Sequence, residues 1–167
     1  MPRPPRVLCI VGSSPERWDD YEEFKSLGVP HDVCCINQAG IGFPGDFDVW
    51  YSYHSTELRE WAKERPDVTA TLMTIGKNQD GVKWWKMHEK RGSSSMQAVR
   101  VAKRWLGYDK VVLCGVALSE PYRRRFFRHW AESYGELIHY VRSMSGATKD
   151  LFGPPTIGWL GGHDDDC

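Results

Sequence analysis

No apolar run in this 167-residue chain approaches the roughly 18–20 residues that a membrane-spanning helix needs. No apolar stretch of signal type precedes the first hydrophobic run either, so no membrane partner is expected. Excess charge is also lacking: 22 Lys and Arg balance 22 Asp and Glu. That excludes a protein that coats nucleic acid by bulk charge, but not one with a local basic patch. The five cysteines, Cys9, Cys34, Cys35, Cys114 and Cys167, contain no CxxC pair, which removes the common zinc sites. They read as buried free thiols of a reducing compartment, and a cytoplasmic location is expected. The Lys-Ser/Thr pair of a phosphate-binding P-loop is missing, as is the GxGxxG dinucleotide fingerprint. The GxSxG turn of serine hydrolases is absent too.

What is present is an alternation of apolar runs with helical periods. Residues 6–11, 32–37, 46–53, 68–75, 110–114 and 137–141 read as strands. Residues 18–27 read as a helix, with Trp18, Tyr21, Phe24 and Leu27 at three-residue steps. Residues 56–63 follow with Ser55 as the expected N-cap, then 94–106, then a helix from near Pro121 to about Tyr134, then a short one within 143–152. Residues 76–91 are polar and irregular and read as a loop or lid of active-site type. Strands separated by helices predict an α/β fold: a single three-layer domain with a mostly parallel sheet of about six strands. The domain is expected to span residues 1–162, with 163–167 as a disordered tail.

Two turns stand out. Gly12-Ser13-Ser14-Pro15 follows the first strand, and Gly92-Ser93-Ser94-Ser95 opens the best helix. Small residues at a strand-to-helix turn let backbone N–H groups approach an anion, and the helix start adds its unpaired donors and dipole. Together they point to a phosphorylated ligand, a nucleotide above all. Asn37 and Gln38 follow the second strand, where an amide can read a base edge or a ribose hydroxyl; an ordinary turn uses the same residue types. His54 and His88 are the candidate general bases. Lys83, Lys86, Lys90 and Arg91 make the loop around His88 cationic. Tyr122 to Trp130 interleaves basic and aromatic residues, with Phe126, Phe127 and Trp130 expected inward. Arg123, Arg124, Arg125 and Arg128 form either a solvated helix face or a surface for nucleic acid.

The run VLCIVGSSPERW…DVCCINQA, residues 7–39, resembles the opening of a Rossmann-like group. That group holds the bacterial sialyltransferases that use cytidine-monophosphate-sialic acid, the archaeal-type 6-hydroxymethyl-dihydropterin pyrophosphokinases, and small phage-encoded relatives. GSSSMQAVRVAKRWLGYDKVVLCG, residues 92–115, resembles the group's second hallmark, a small-residue turn and helix leading to a strand that ends in Gly115. VRSMSGATKDLFG, residues 141–153, is similar to the C-terminal part of the phage relatives. The resemblance implies a nucleotide held between residues 12–15, Asn37 and residues 93–95.

The first functional expectation is a nucleotide-dependent transferase, a small glycosyltransferase-like enzyme using a nucleotide-sugar donor. Its leaving phosphate would sit on the two serine turns, and His54 or His88 would deprotonate the acceptor. No visible ligand cluster requires a metal in that scheme. A second is an ATP-dependent diphosphokinase acting on a pterin-like or nucleoside alcohol, which needs Mg²⁺ held by acids such as Asp46, Asp48 and Asp80. A third is a nucleotide-binding module of phage or defence origin without turnover. A homo-oligomer is compatible with each.

Overall fold

The structure, a computed structural model, describes residues 3–162. In chain order the elements are β1 (Val7–Val11), α1 (Arg17–Ser26), β2 (Asp32–Ile36), α2 (Ala39–Gly42), β3 (Val49–Tyr51), α3 (Ser55–Lys63), β4 (Thr71–Thr74), β5 (Lys83–Trp84), α4 (Ser94–Val101), β6 (Lys110–Cys114), α5 (Tyr122–Glu132), α6 (Tyr134–Leu137), β7 (Val141–Ser143), α7 (Gly146–Phe152) and α8 (Ile157–Leu160). The strands form one sheet in the order β5-β4-β3-β2-β1-β6-β7, and every neighbouring pair is parallel. This is a Rossmann-like α/β architecture. Its sheet has one strand more than the sequence suggests, and the addition is the two-residue β5, too short to leave a periodic signal.

The pleat divides each strand between two cores. Leu8, Ile10, Cys34, Ile36, Val49 and Tyr51 meet α4, α5 and α7 through Met96, Val99, Trp130 and Phe152. Val7, Cys9, Val11, Val33, Cys35 and Trp50 meet α1, α3 and α8 through Tyr21, Phe24, Leu58 and Trp159. All five residues of β1 are buried, as a strand covered on both faces requires. Cys9, Cys34, Cys35 and Cys114 are buried and free, and the Cys9 thiol reaches the Cys114 sulfur at 3.4 Å. Cys167 and the 163–167 tail lie outside the described residues. Among the described residues no helix is long and apolar enough to cross a membrane.

Several expected elements shift. β3 is three residues long rather than the predicted 46–53, because Cys34–Ile36 and Thr71–Met73 set its paired length. The strand expected over 137–141 is instead Val141–Ser143. Leu137 closes α6, where its N–H donates to the Ser133 carbonyl at 3.0 Å, and its side chain is fully buried. Ser55 does not cap α3 but is its first residue, its hydroxyl donating to the Lys77 carbonyl at 2.6 Å. The 94–106 helix is present, its last turn π-helical over Ala102–Leu106. Phe126 and Phe127 are half-buried, and Trp130 is wholly buried.

Burial of phenols and thiols gives the fold an alkaline limit. Burial pushes Tyr21 and Tyr140 up to about 12, and raises Tyr51, Tyr108 and the thiols of Cys9, Cys34 and Cys35 as well. An acid whose folded pKa lies above its unfolded value keeps its full stabilising effect below the unfolded value and loses it as pH rises. The denaturant midpoint is therefore expected to feel none of these groups below about pH 7.5 and to fall increasingly above it, as thiols with unfolded values of about 8.5 and then phenols at about 10 ionise in the unfolded chain. A midpoint constant to pH 11 in a urea titration would contradict this.

Candidate functional site

Strand order locates the site. The chain moves outward from β1 through β2, β3, β4 and β5, then crosses back to place β6 on the other side of β1. The loops leaving β1 and β6 therefore diverge at a topological switch point, where open parallel sheets hold their ligands. A cleft of about 530 Å³ opens at these carboxyl ends.

Beneath the cleft two backbones meet, with Ser14 and Gly115 among the lining residues and Gly12 behind them. Gly12 N–H donates to the Cys114 carbonyl at 2.8 Å, and Ser14 N–H donates to the Gly115 carbonyl at 3.0 Å. A Cβ on Gly12 would lie 2.4 Å from the Gly115 oxygen. Gly115 itself has φ +65°, and a Cβ there would lie 2.3 Å from Cβ of Arg17. Both glycines are thus fixed by close approach, the second also by its left-handed backbone. Asp20, buried on α1, braces the far side. Its Oδ2 accepts the Gly115 N–H at 2.8 Å and the Ser145 hydroxyl at 2.5 Å. Thr148 adds a third tie, its hydroxyl donating to the Val116 carbonyl at 2.6 Å. Residues of the 141–153 stretch thus buttress the loop after β6.

The walls carry hydrogen-bond donors among apolar residues such as Ile36, Val116 and Leu118. Ser13, Ser14 and Pro15 line one side, and Ser93, Ser94 and Ser95 line another. Ser93 is the N-cap of α4, its hydroxyl oxygen accepting the Met96 N–H at 3.4 Å. The N–H groups of residues 94 and 95 precede the first intrahelical bond of that helix, as at any helix start. Asn37 and Gln38 also line the cleft. Ser52, fully buried, accepts the His54 N–H at 3.0 Å and donates its single hydroxyl hydrogen to Asn37 Oδ1 at 2.7 Å. With its oxygen so occupied, the Asn37 amide offers the cleft its NH₂, a fixed donor. Arg125 adds a guanidinium at the rim, and none of the lining residues is Asp or Glu.

Two non-glycine residues among those described have positive φ, Asn37 at 51° and Leu118 at 54°, and both line this cleft. Left-handed backbone costs a leucine roughly 1–2 kcal/mol. Such strain persists where the surroundings over-determine it, and it clusters at ligand sites.

The remaining candidates are placed as follows. His54 lines the cleft and is exposed, its ring edge-on to Tyr53 at 5.7 Å. His88 is exposed in the loop between β5 and α4 and does not line the cleft. That loop is tied to α4 rather than hanging free as a lid. Trp85 stacks on Trp105 at 5.1 Å, buried Arg100 donates to the Arg91 carbonyl at 3.1 Å, and Gln97 donates to the Lys90 carbonyl at 3.0 Å. Gly92 lies just behind the serine cap with φ +95° and does not face the cleft. Asp46 and Asp48 precede β3 at the opposite, amino end of the sheet, where Asp48 accepts the Val33 N–H at 2.8 Å. Asp80 is exposed before β5 and does not line the cleft. Sequence reasoning missed Asp20, Ser52, Ser145 and the residues 116–119 that line the cleft beyond Gly115.

The fold and site define a Rossmann-like domain with a donor-lined cleft at its switch point. Comparison with known proteins finds no family model, no curated protein and no solved structure that matches the chain.

Proposed function

We propose that this protein is a nucleotide-dependent transferase of glycosyltransferase type, with a nucleotide-sugar donor bound in the switch-point cleft. The observation that carries the reading is a cleft carrying fixed donors and free of carboxylates, sized at about 530 Å³. The donor's phosphate lies on the serine turns 13–14 and 93–95, where the N–H groups of residues 94 and 95 and the serine hydroxyls stabilise the charge that develops on the leaving group. The Asn37 NH₂ bonds an acceptor atom of the nucleoside. His54, the one imidazole among the lining residues, takes the proton of the acceptor hydroxyl. His88 does not face the cleft and has no part in this scheme.

The donor set also separates this reading from the diphosphokinase. Mg²⁺ chemistry on ATP needs carboxylate oxygens at the phosphates. The lining residues supply none, and among the described residues no group of three or more His, Cys, Asp and Glu could hold a metal. The residues present do not fit Mg²⁺.

Release of nucleoside phosphate from a panel of nucleotide sugars tests the proposal. His54→Ala is expected to lower turnover by about 10²–10⁴-fold while leaving nucleotide affinity within about threefold, since the phosphate donors are untouched. Alanine at both His54 and His88 with turnover intact would remove the histidine from the mechanism. Nucleotide bound tightly but recovered unchanged would favour a module without turnover.

A further inference from the structure

The chain is neutral overall, yet its charge is not evenly spread. Residues 121–132 hold four arginines against one glutamate. Three of them, Arg123, Arg124 and Arg125, occupy the first turn of α5, which contains no acidic residue and whose N-cap, Pro121, makes no side-chain cap bond. Cations at a helix start oppose the macrodipole, and neighbouring like charges repel. Stability of the helix does not account for this arrangement. Nor does pairing. Arg124 and Arg128 reach Glu120 at 3.9 Å and Glu132 at 2.6 Å while remaining 88% and 83% exposed. Arg123 and Arg125 form no ion pair among the described residues, their guanidiniums lying over Phe127 and Phe126 at 5.5 and 5.1 Å. Glu132 is held below the ordinary carboxylate range chiefly by its bond from Arg128.

An aromatic step lies beside these charges. Tyr122 is 58% exposed and its ring is nearly parallel to that of Phe126, 6.5 Å away at 11°. Tyr122, Phe126 and Arg125 also line the cleft, so Arg125 joins the exposed Arg124 and Arg128 to the rim of the proposed nucleotide site, while Arg123 lies to the other side beside Asp150.

We propose that the exposed face of α5 binds single-stranded nucleic acid, its phosphodiesters on Arg124, Arg128 and Arg125 and a base stacked on Tyr122 at the mouth of the cleft. Positive side chains along a backbone track, interleaved with an exposed ring, are the means by which single strands are held without sequence readout. A duplex hides the faces of its bases, so Tyr122 favours the single strand. The inference builds on the nucleotide reading in one respect, the strand being the macromolecular acceptor delivered to His54. The surface itself stands without that reading.

The test is fluorescence anisotropy of the full chain with a labelled oligothymidylate of about 12 nucleotides. Affinity is expected to fall with salt at a log–log slope near −2, from about three phosphate contacts at roughly −0.7 each. Arg124→Gln with Arg128→Gln should weaken binding about tenfold and reduce the slope by about 1.4, since two contacts are removed. Tyr122→Ala should weaken binding at least about fivefold with the slope unchanged, because stacking releases no counterions. Neither arginine lines the cleft, so the double variant should keep the wild-type thermal shift with nucleotide. A shift retained with strand binding lost supports both proposals, and strand binding kept with no nucleotide shift supports the surface alone. Absence of binding in low salt, equal affinity for a duplex or an anionic polysaccharide of similar charge, or no effect of the double variant would overturn the surface.

Discussion

Asp20→Ala is expected to cost about 4 kcal/mol and to lower Tm by about 10–15 °C for a chain of this length. The carboxylate is buried, and one oxygen, Oδ2, accepts both the Gly115 N–H and the Ser145 hydroxyl. Alanine leaves both donors facing a space with no acceptor, at about 1–3 kcal/mol each. The loss falls on the loop after β6, whose residues line the cleft, so nucleotide affinity should drop with stability. Asp20→Asn keeps one acceptor oxygen and should recover part of the loss. Thermal melts of the two variants with and without ligand make the check. An alanine variant that melts within 2 °C of wild type would mean that these bonds do not hold the loop.

Gly12→Ala comes next in expected effect. The added carbon would sit 2.4 Å from the Gly115 carbonyl oxygen and 2.9 Å from Cγ2 of Val116. Backbone cannot swing aside as the end of a flexible side chain can, so β1 and β6 must part at the switch point. Overpacking of this kind costs about 1–3 kcal/mol, and the Ser14 N–H to Gly115 bond at 3.0 Å is stretched with it. Stability should fall by about 2–3 kcal/mol. Ligand affinity should fall by about tenfold or more, because a misplacement of about 1 Å is enough to lose fixed donor geometry. Gly28→Ala is the comparison: it meets nothing within 4 Å and also lies away from the cleft, but its φ of +70° still imposes a strain. It should cost stability alone. Equal affinity loss in the two would show that the Gly12 contact has no special part in the site.

How far the sequence could be read depends on how local each feature is. β6 was legible to the residue as Lys110–Cys114, because a β-branched run between a polar start and a glycine specifies its own ends. The serine turns were legible for the same reason, since a strand, small residues and a helix lie within a few positions of each other. Asp20 was not. On its helix it reads as one more solvated acid, and its partners lie 95 and 125 residues away. Strand order is equally non-local: β1 pairs with β6 across about a hundred residues, and only that pairing makes residues 115–119 part of the site. The 137–141 stretch misled because Leu137, Tyr140 and Val141 are all buried apolar residues. Their burial comes from a helix end, a turn and a strand in succession, which mimics a single strand.

On the function proposed, the switch-point cleft binds a nucleotide anion without a divalent metal. The most direct measurement is thermal denaturation of the intact protein against nucleoside mono- and diphosphates and nucleotide sugars, each with added Mg²⁺ and with EDTA. One nucleotide class is expected to raise Tm equally in both conditions. At 100 times its Kd the ligand stabilises by about 2.7 kcal/mol, and Gly12→Ala should diminish the shift. No shift with any nucleotide, or a shift that vanishes in EDTA, would contradict the proposed function.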